Sequence, residues 1–248
     1  MGQQFNEQTM KTRIAPLFAI LFSLTVFLAG CDAEVPETTN LATETSQQTT
    51  DSYSNTQETM EGTTITTPEL TEDAQAQLAA PQAGDKIAVI ETEKGTIKLK
   101  LFTEQVPEMT KNFEELANAG SYNGAPFHRV MVDFMIQTGD FTNQNGTGGH
   151  SYKGPGTVLP DEIVPELKHL YGTVSMANRG PNTNGSQFFI VTNANGTAFL
   201  DGSYTVFGQV YEGMEIAKEI EALEIPGTER PSETVTMTNV EVMEYQPE

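Results

Sequence analysis

The side chains that most often carry covalent or metal chemistry are few in this chain: one cysteine, Cys31, and three histidines, His128, His150 and His169. A single cysteine builds neither an intrachain disulfide framework nor a multi-cysteine metal site. The histidines lack the i, i+4 spacing of ligands on one helix face, so each reads as a hydrogen-bonding residue. No G-x-x-x-x-G-K-[ST], H-E-x-x-H or G-x-S-x-G run occurs. The glycine cluster Asn145-Gly146-Thr147-Gly148-Gly149 is followed by no lysine and capped helix, which favours a tight loop over a phosphate cradle. Arg129, inside an apolar strand-like run, calls for an acidic partner, and Asp133 and Asp140 are the acids nearest in sequence.

Longer blocks carry more information. Phe127-His128-Arg129-Val130 precedes Phe134-Met135-Ile136-Gln137-Thr138-Gly139-Asp140-Phe141; then come Ser175-Met176-Ala177-Asn178, Gly180 to Ile190 with Gln187-Phe188-Phe189, Phe199-Leu200-Asp201-Gly202 and Val206-Phe207-Gly208. In this order they resemble the cyclophilins, a family of peptidyl-prolyl cis-trans isomerases, and the resemblance covers Lys86 to the C-terminus. It implies that Arg129 meets the prolyl amide with Gln137 beside it. Phe134, Met135, Phe189 and Leu200 would line a proline pocket, Ala177 and Asn178 would meet the substrate backbone, and Gln187 would lie in the groove. Phe199 stands where the commonest eukaryotic pattern has a tryptophan important for cyclosporin, so weak cyclosporin binding is expected. Tyr204 replaces a histidine near the groove.

The implied chemistry needs no nucleophile, metal or cofactor. Turning an X-Pro bond means breaking amide resonance, a barrier of about 18–20 kcal/mol. The site has only to bind the twisted amide better than either planar form. An arginine aimed at the prolyl nitrogen would donate to the lone pair that appears as resonance is lost. A module that holds proline-containing clients without turning them over is the alternative.

Positioning these residues requires strands. Ile87 to Glu91 and Thr96 to Phe102 read as a hairpin with one wet face, since Ile97, Leu99 and Leu101 alternate with Lys98 and Lys100. Further strands are expected over 127–132, 135–139, 173–177, 187–192, 205–211 and 234–245. Helices are expected from Pro107 to Gly120 and over 213–223. The pattern suits an antiparallel barrel or sandwich. The resemblance sharpens this to a mainly β fold, an eight-stranded antiparallel barrel capped by two helices.

Upstream the composition changes. Lys11 and Arg13 precede sixteen residues, Ile14 to Ala29, that are apolar except at interruptions such as Pro16, Ser23 and Thr25. That run is shorter than the ~20 residues of a spanning helix and has the layout of an export signal, with a permanent transmembrane helix as the second choice. Leu28-Ala29-Gly30-Cys31 is similar to a bacterial lipoprotein signal, which implies a diacylglyceryl group on Cys31. Residues 32–85 hold eleven acids and thirteen threonines but no lysine or arginine, a composition that cannot offset its ordering entropy. Within it, Pro68, Glu69 and Asp73 suit the first turn of a short helix over 68–80, against which stands an apolar face of only Leu70, Ala74 and Leu78. The expected organisation is a signal peptide over 1–30, a lipid-anchored disordered tether over 31–83 and an isomerase domain over 84–248. The formal net charge of −21 argues against nucleic acid as a partner. A monomer on the extracytoplasmic face of a bacterial cell membrane, acting on exported proline-containing polypeptides, is the resulting expectation.

Overall fold

The computed structural model describes residues 71–247; Cys31, the export-signal run and the tether up to residue 70 lie outside them. The first element is a helix, α1 (Glu72–Leu78), where the Thr71 side chain accepts the Ala74 N–H at 3.3 Å and Glu72 and Asp73 occupy the first turn. Acids there favour the positive end of the helix dipole, and the cap satisfies an orphan donor. This helix falls inside the stretch read as tether, so the folded unit reaches back at least to Thr71. The docking is largely polar, which is why hydropathy underrates it. Gln77, 2% exposed, donates to Lys168 O at 2.7 Å and to Thr173 Oγ1 at 3.0 Å and accepts the Lys168 N–H at 2.9 Å. Lys100 then donates to Ala76 O and Ala79 O, two carbonyls at the end of α1, at 3.3 and 2.6 Å. Lys100 is therefore buried beneath α1 instead of lying on a wet hairpin face, and burial pushes its amine below the ordinary lysine range.

The chain continues through β1 (Lys86–Thr92), β2 (Gly95–Leu101), α2 (Pro107–Asn118), β3 (Arg129–Met131), β4 (Met135–Thr138), β5 (Thr173–Met176) and β6 (Phe188–Val191). A 3-10 turn at Ala198–Leu200 leads to β7 (Val206–Glu212), α3 (Met214–Glu221), β8 (Glu224–Ile225), β9 (Arg230–Pro231) and β10 (Met237–Glu244). Eight strands form one antiparallel sheet in the order β10-β1-β2-β7-β5-β6-β4-β3, and β8 pairs with β9. An isolated bridge between Pro126 and Thr236, just ahead of β3 and β10, brings the two sheet edges together, so the sheet curls on itself. The eight expected strands are all present. The short β8–β9 ribbon is an addition, and α1 falls within the candidate helix over 68–80, making three helices where the barrel expectation had two.

Alternation sorts the side chains. Val130, Ile136, Val174 and Ile190 are fully buried in the core with Leu99, Phe188 and Phe207. Phe113 of α2 reaches into this core, its ring 5.2 Å from Tyr122 and 5.4 Å from both Phe188 and Phe207. Burying one such ring stabilises by about 1.5–3 kcal/mol. Pro107 suits the first helical position, where no N–H is needed, and the Glu162 carboxylate accepts the next two N–H groups, from Glu108 at 3.3 Å and Met109 at 2.7 Å.

Candidate active site

Residues that alternate with the core set point outward from the same strands. In register across four strands, Arg129 pairs with Gln137, Gln137 with Phe189, and Phe189 with Ser175; the neighbouring row is Met131, Met135 and Val191. Met135, Phe189, Val191 and Leu200 form an apolar cluster of their own, against which Met131, Phe134, Ala177 and Tyr204 pack. Of these, Phe134, Met135, Ala177, Phe189, Leu200 and Tyr204 line a cup of ≈ 120 Å³ together with Arg129, Gln137 and Asn178. Nine of the expected site residues thus converge. Phe199 stands at the rim, 75% exposed, its ring 5.6 Å from Phe134. Gln187 lies behind the cup and touches it through Gln137.

A chain of amides fixes the polar side. The Gln187 amide nitrogen donates to Gly146 O at 3.0 Å and Gly148 O at 2.8 Å, so its oxygen faces Gln137 and accepts from Gln137 Nε2 at 2.9 Å. The Gln137 oxygen is thereby turned to Arg129, whose Nη1 donates to it at 3.4 Å. Each amide has its two ends assigned by its neighbours. Asn178 is held by its own donation to Ser203 O at 3.1 Å and by accepting the Gly180 N–H at 3.2 Å.

The glycine loop that anchors this relay is organised by Asp140, which is fully buried. Its carboxylate accepts the N–H groups of Asn143, Gly146 and Gly148 at 2.9, 2.9 and 3.0 Å and those of Thr142 and Asn145 at 3.2 Å. Burial alone would raise the Asp140 pKa, but these donors together outweigh it and hold the group below the usual carboxylate range. The loop amides are occupied by the chain's own carboxylate, in keeping with a tight loop and not a phosphate cradle.

Neither Asp133 nor Asp140 partners Arg129. Its Nε donates to Glu229 Oε2 at 2.7 Å, and its Nη2 approaches Met131 Sδ at 3.0 Å. Glu229 lies in the loop between β8 and β9, 100 positions away in the chain, beyond the reach of local spacing. Beneath the cup lies His169, a hydrogen-bonding residue as expected, whose place against the pocket the sequence did not indicate. His169, 2% exposed, stacks on Phe189 at 6.0 Å, meets Asp201 Oδ1 through Nδ1 at 2.8 Å and Ser175 Oγ through Nε2 at 3.1 Å. Burial lowers its pKa against the opposing pull of Asp201. Tyr204 completes the wall, edge-on to Phe189 at 5.8 Å. The only available signal was the proximity of Leu200-Asp201 to the block carrying the pocket. Among the described residues no three His, Cys, Asp or Glu side chains gather as a metal site would require.

Comparison with known proteins agrees with this geometry. The sequence family described as cyclophilin type peptidyl-prolyl cis-trans isomerase/CLD matches residues 87–242. Peptidyl-prolyl cis-trans isomerase-like 1 of Aspergillus fumigatus is 42% identical over 157 residues, 63% of this chain and 94% of that protein. Peptidyl-prolyl cis-trans isomerase 9 of Schizosaccharomyces pombe is 43% identical over 159 residues, 64% of this chain but only 25% of that longer protein. The crystal structure of a cyclophilin type isomerase from Cryptosporidium parvum matches with a TM-score of 0.61 at 35% identity, covering 65% of this chain and 99% of that one. These three relatives are eukaryotic. The family match spans all eleven residues of the cup, its rim and the amide relay, and the chain belongs to the cyclophilin type peptidyl-prolyl cis-trans isomerases.

Proposed function

We propose that the chain performs its peptidyl-prolyl isomerisation by non-covalent stabilisation of the twisted amide, with Arg129 as the donor to the prolyl nitrogen. The observation that carries this is the placement of a fixed guanidinium at the edge of an apolar cup of about the size of a pyrrolidine ring. The five guanidinium N–H groups are partly engaged by Glu229, Gln137 and Met131, and two remain to face a substrate. Phe134, Met135, Phe189 and Leu200 hold the ring, and Ala177 and Asn178 meet the flanking backbone. Planar substrate carries no free lone pair on nitrogen, so the Arg129 bond strengthens as the amide twists, which is the differential binding that catalysis requires. A 10⁵-fold acceleration corresponds to roughly 7 kcal/mol shared by these groups.

The clients are read as exported polypeptides and the location as the extracytoplasmic face of a bacterial membrane, with a lipid on Cys31. Support comes from the basic pair Lys11 and Arg13, the apolar run after it and Leu28-Ala29-Gly30-Cys31. Two acyl chains on one diacylglyceryl group give stable membrane residence where a single chain does not. Exchange NMR of an Ala-Pro peptide with the wild-type chain and Arg129→Ala tests the chemistry: exchange lost in a folded variant is expected, and retained exchange refutes the role of Arg129. A folded wild type without exchange leaves the client-holding module as the reading. Release of the Cys31→Ala chain from the membrane fraction of a bacterial host is expected, and unchanged membrane residence refutes the anchor.

A further inference from the structure

Glu229 grips the strand that carries Arg129 at two points. Its side chain accepts the Arg129 Nε–H at 2.7 Å, and its backbone carbonyl accepts the Val130 N–H at 3.0 Å. It does this with φ at 57°, a left-handed conformation that a glutamate seldom adopts. Thr228 closes the turn before it, donating from its N–H and hydroxyl to Ile225 O at 3.0 and 2.8 Å. A strained residue persists where its surroundings over-determine it, and such strain is commonly found at working sites.

We propose that Glu229 is a positioning residue for isomerisation: it holds the Nε edge of the guanidinium so that the Nη edge faces the cup. This rests on Arg129 being the donor to the prolyl nitrogen. Of the three contacts on the guanidinium, that with Gln137 is long at 3.4 Å, and the one with Met131 is to sulfur, a weak acceptor. The short, charge-assisted contact with Glu229 is the one that sets orientation. Arginine has many rotamers, and the Arg129 side chain is 36% exposed, so without the carboxylate the guanidinium samples positions in which no N–H reaches the amide. The same exposure means that the pair contributes little to the stability of the fold. Glu229 therefore separates orientation from folding.

The test uses the full chain and an Ala-Pro peptide, with Glu229→Gln, Glu229→Ala and Glu229→Gly prepared alone and on Arg129→Ala. The glycine variant removes the carboxylate while suiting the left-handed backbone, so it serves where alanine disturbs the turn. Loss of the carboxylate is expected to lower kcat by about tenfold with KM within about twofold, since orientation acts on the reacting geometry. Glu229→Gln, which keeps an acceptor oxygen, recovers part of the loss. The thermal midpoint stays at the wild-type value, and the Arg129 Nε–H resonance, protected in the wild type, exchanges rapidly in Glu229→Ala. On Arg129→Ala the Glu229 substitutions have no further effect. Wild-type kcat in both Glu229→Ala and Glu229→Gly, or an equal fall with and without Arg129, overturns the proposal. Full activity of Arg129→Ala itself marks failure of the underlying reading instead.

Discussion

Phe199 presents an exposed ring at the rim of the cup and has no N–H to offer. The tryptophan of the commonest eukaryotic pattern would add one hydrogen-bond donor there, whose worth is about 1 kcal/mol. Phe199→Trp is therefore expected to tighten cyclosporin binding by roughly fivefold or more while Ala-Pro isomerisation changes little; a titration with unchanged affinity refutes this. His169 makes a second residue-level expectation. Its folded pKa is lowered, so its contribution to stability is complete above the unfolded value of about 6.5 and declines as the pH falls below it. Denaturant midpoints compared at pH 7.5 and pH 5 should drop in the wild type and drop less in His169→Gln; parallel drops sink the assignment. The pocket residues were legible because they occur in long, ordered blocks. The partner of Arg129 was not, because β3 meets Glu229 only through the fold, and the nearby acid Asp140 is already saturated by its own loop.

At the level of elements, strands and the two longer helices could be read from alternation and turn residues, since each buries an apolar face. Helix α1 was legible only as a weak candidate over 68–80, because its attachment is through Gln77 and Lys100, which hydropathy scores as surface residues. Gln77→Ala leaves the Lys168 N–H without its side-chain acceptor, and the Lys168 carbonyl keeps only the Thr173 hydroxyl of its two side-chain donors, so the fold should be destabilised by about 1–3 kcal/mol. Chemical denaturation of the full chain measures it, and a change under ~0.5 kcal/mol would show that α1 is only resting on the sheet. Register explains why so few strands suffice for the site. Arg129, Gln137 and Phe189 sit side by side on β3, β4 and β6, so a one-residue slip would turn all three into the core.

Over the whole molecule the excess of acid dominates, 34 Asp and Glu against 13 Lys and Arg. Such a field draws cationic clients and repels anionic ones. A proline peptide flanked by lysines should show a kcat/KM about tenfold above one flanked by glutamates at low salt, the gap closing as the Debye length shrinks from ~10 Å at 0.1 M toward ~3 Å at 1 M. Equal values at low salt would mean that the groove is insulated from the rest of the surface. The small volume of the cup has a kinetic consequence. With room for one ring and few atoms in contact, affinity has a low ceiling, about 1.5 kcal/mol per non-hydrogen atom at the most favourable. Low affinity from a shallow, outward-facing seat means brief residence. A client is sampled at one proline, let go and sampled again, and throughput follows the frequency of encounter more than the rate of escape.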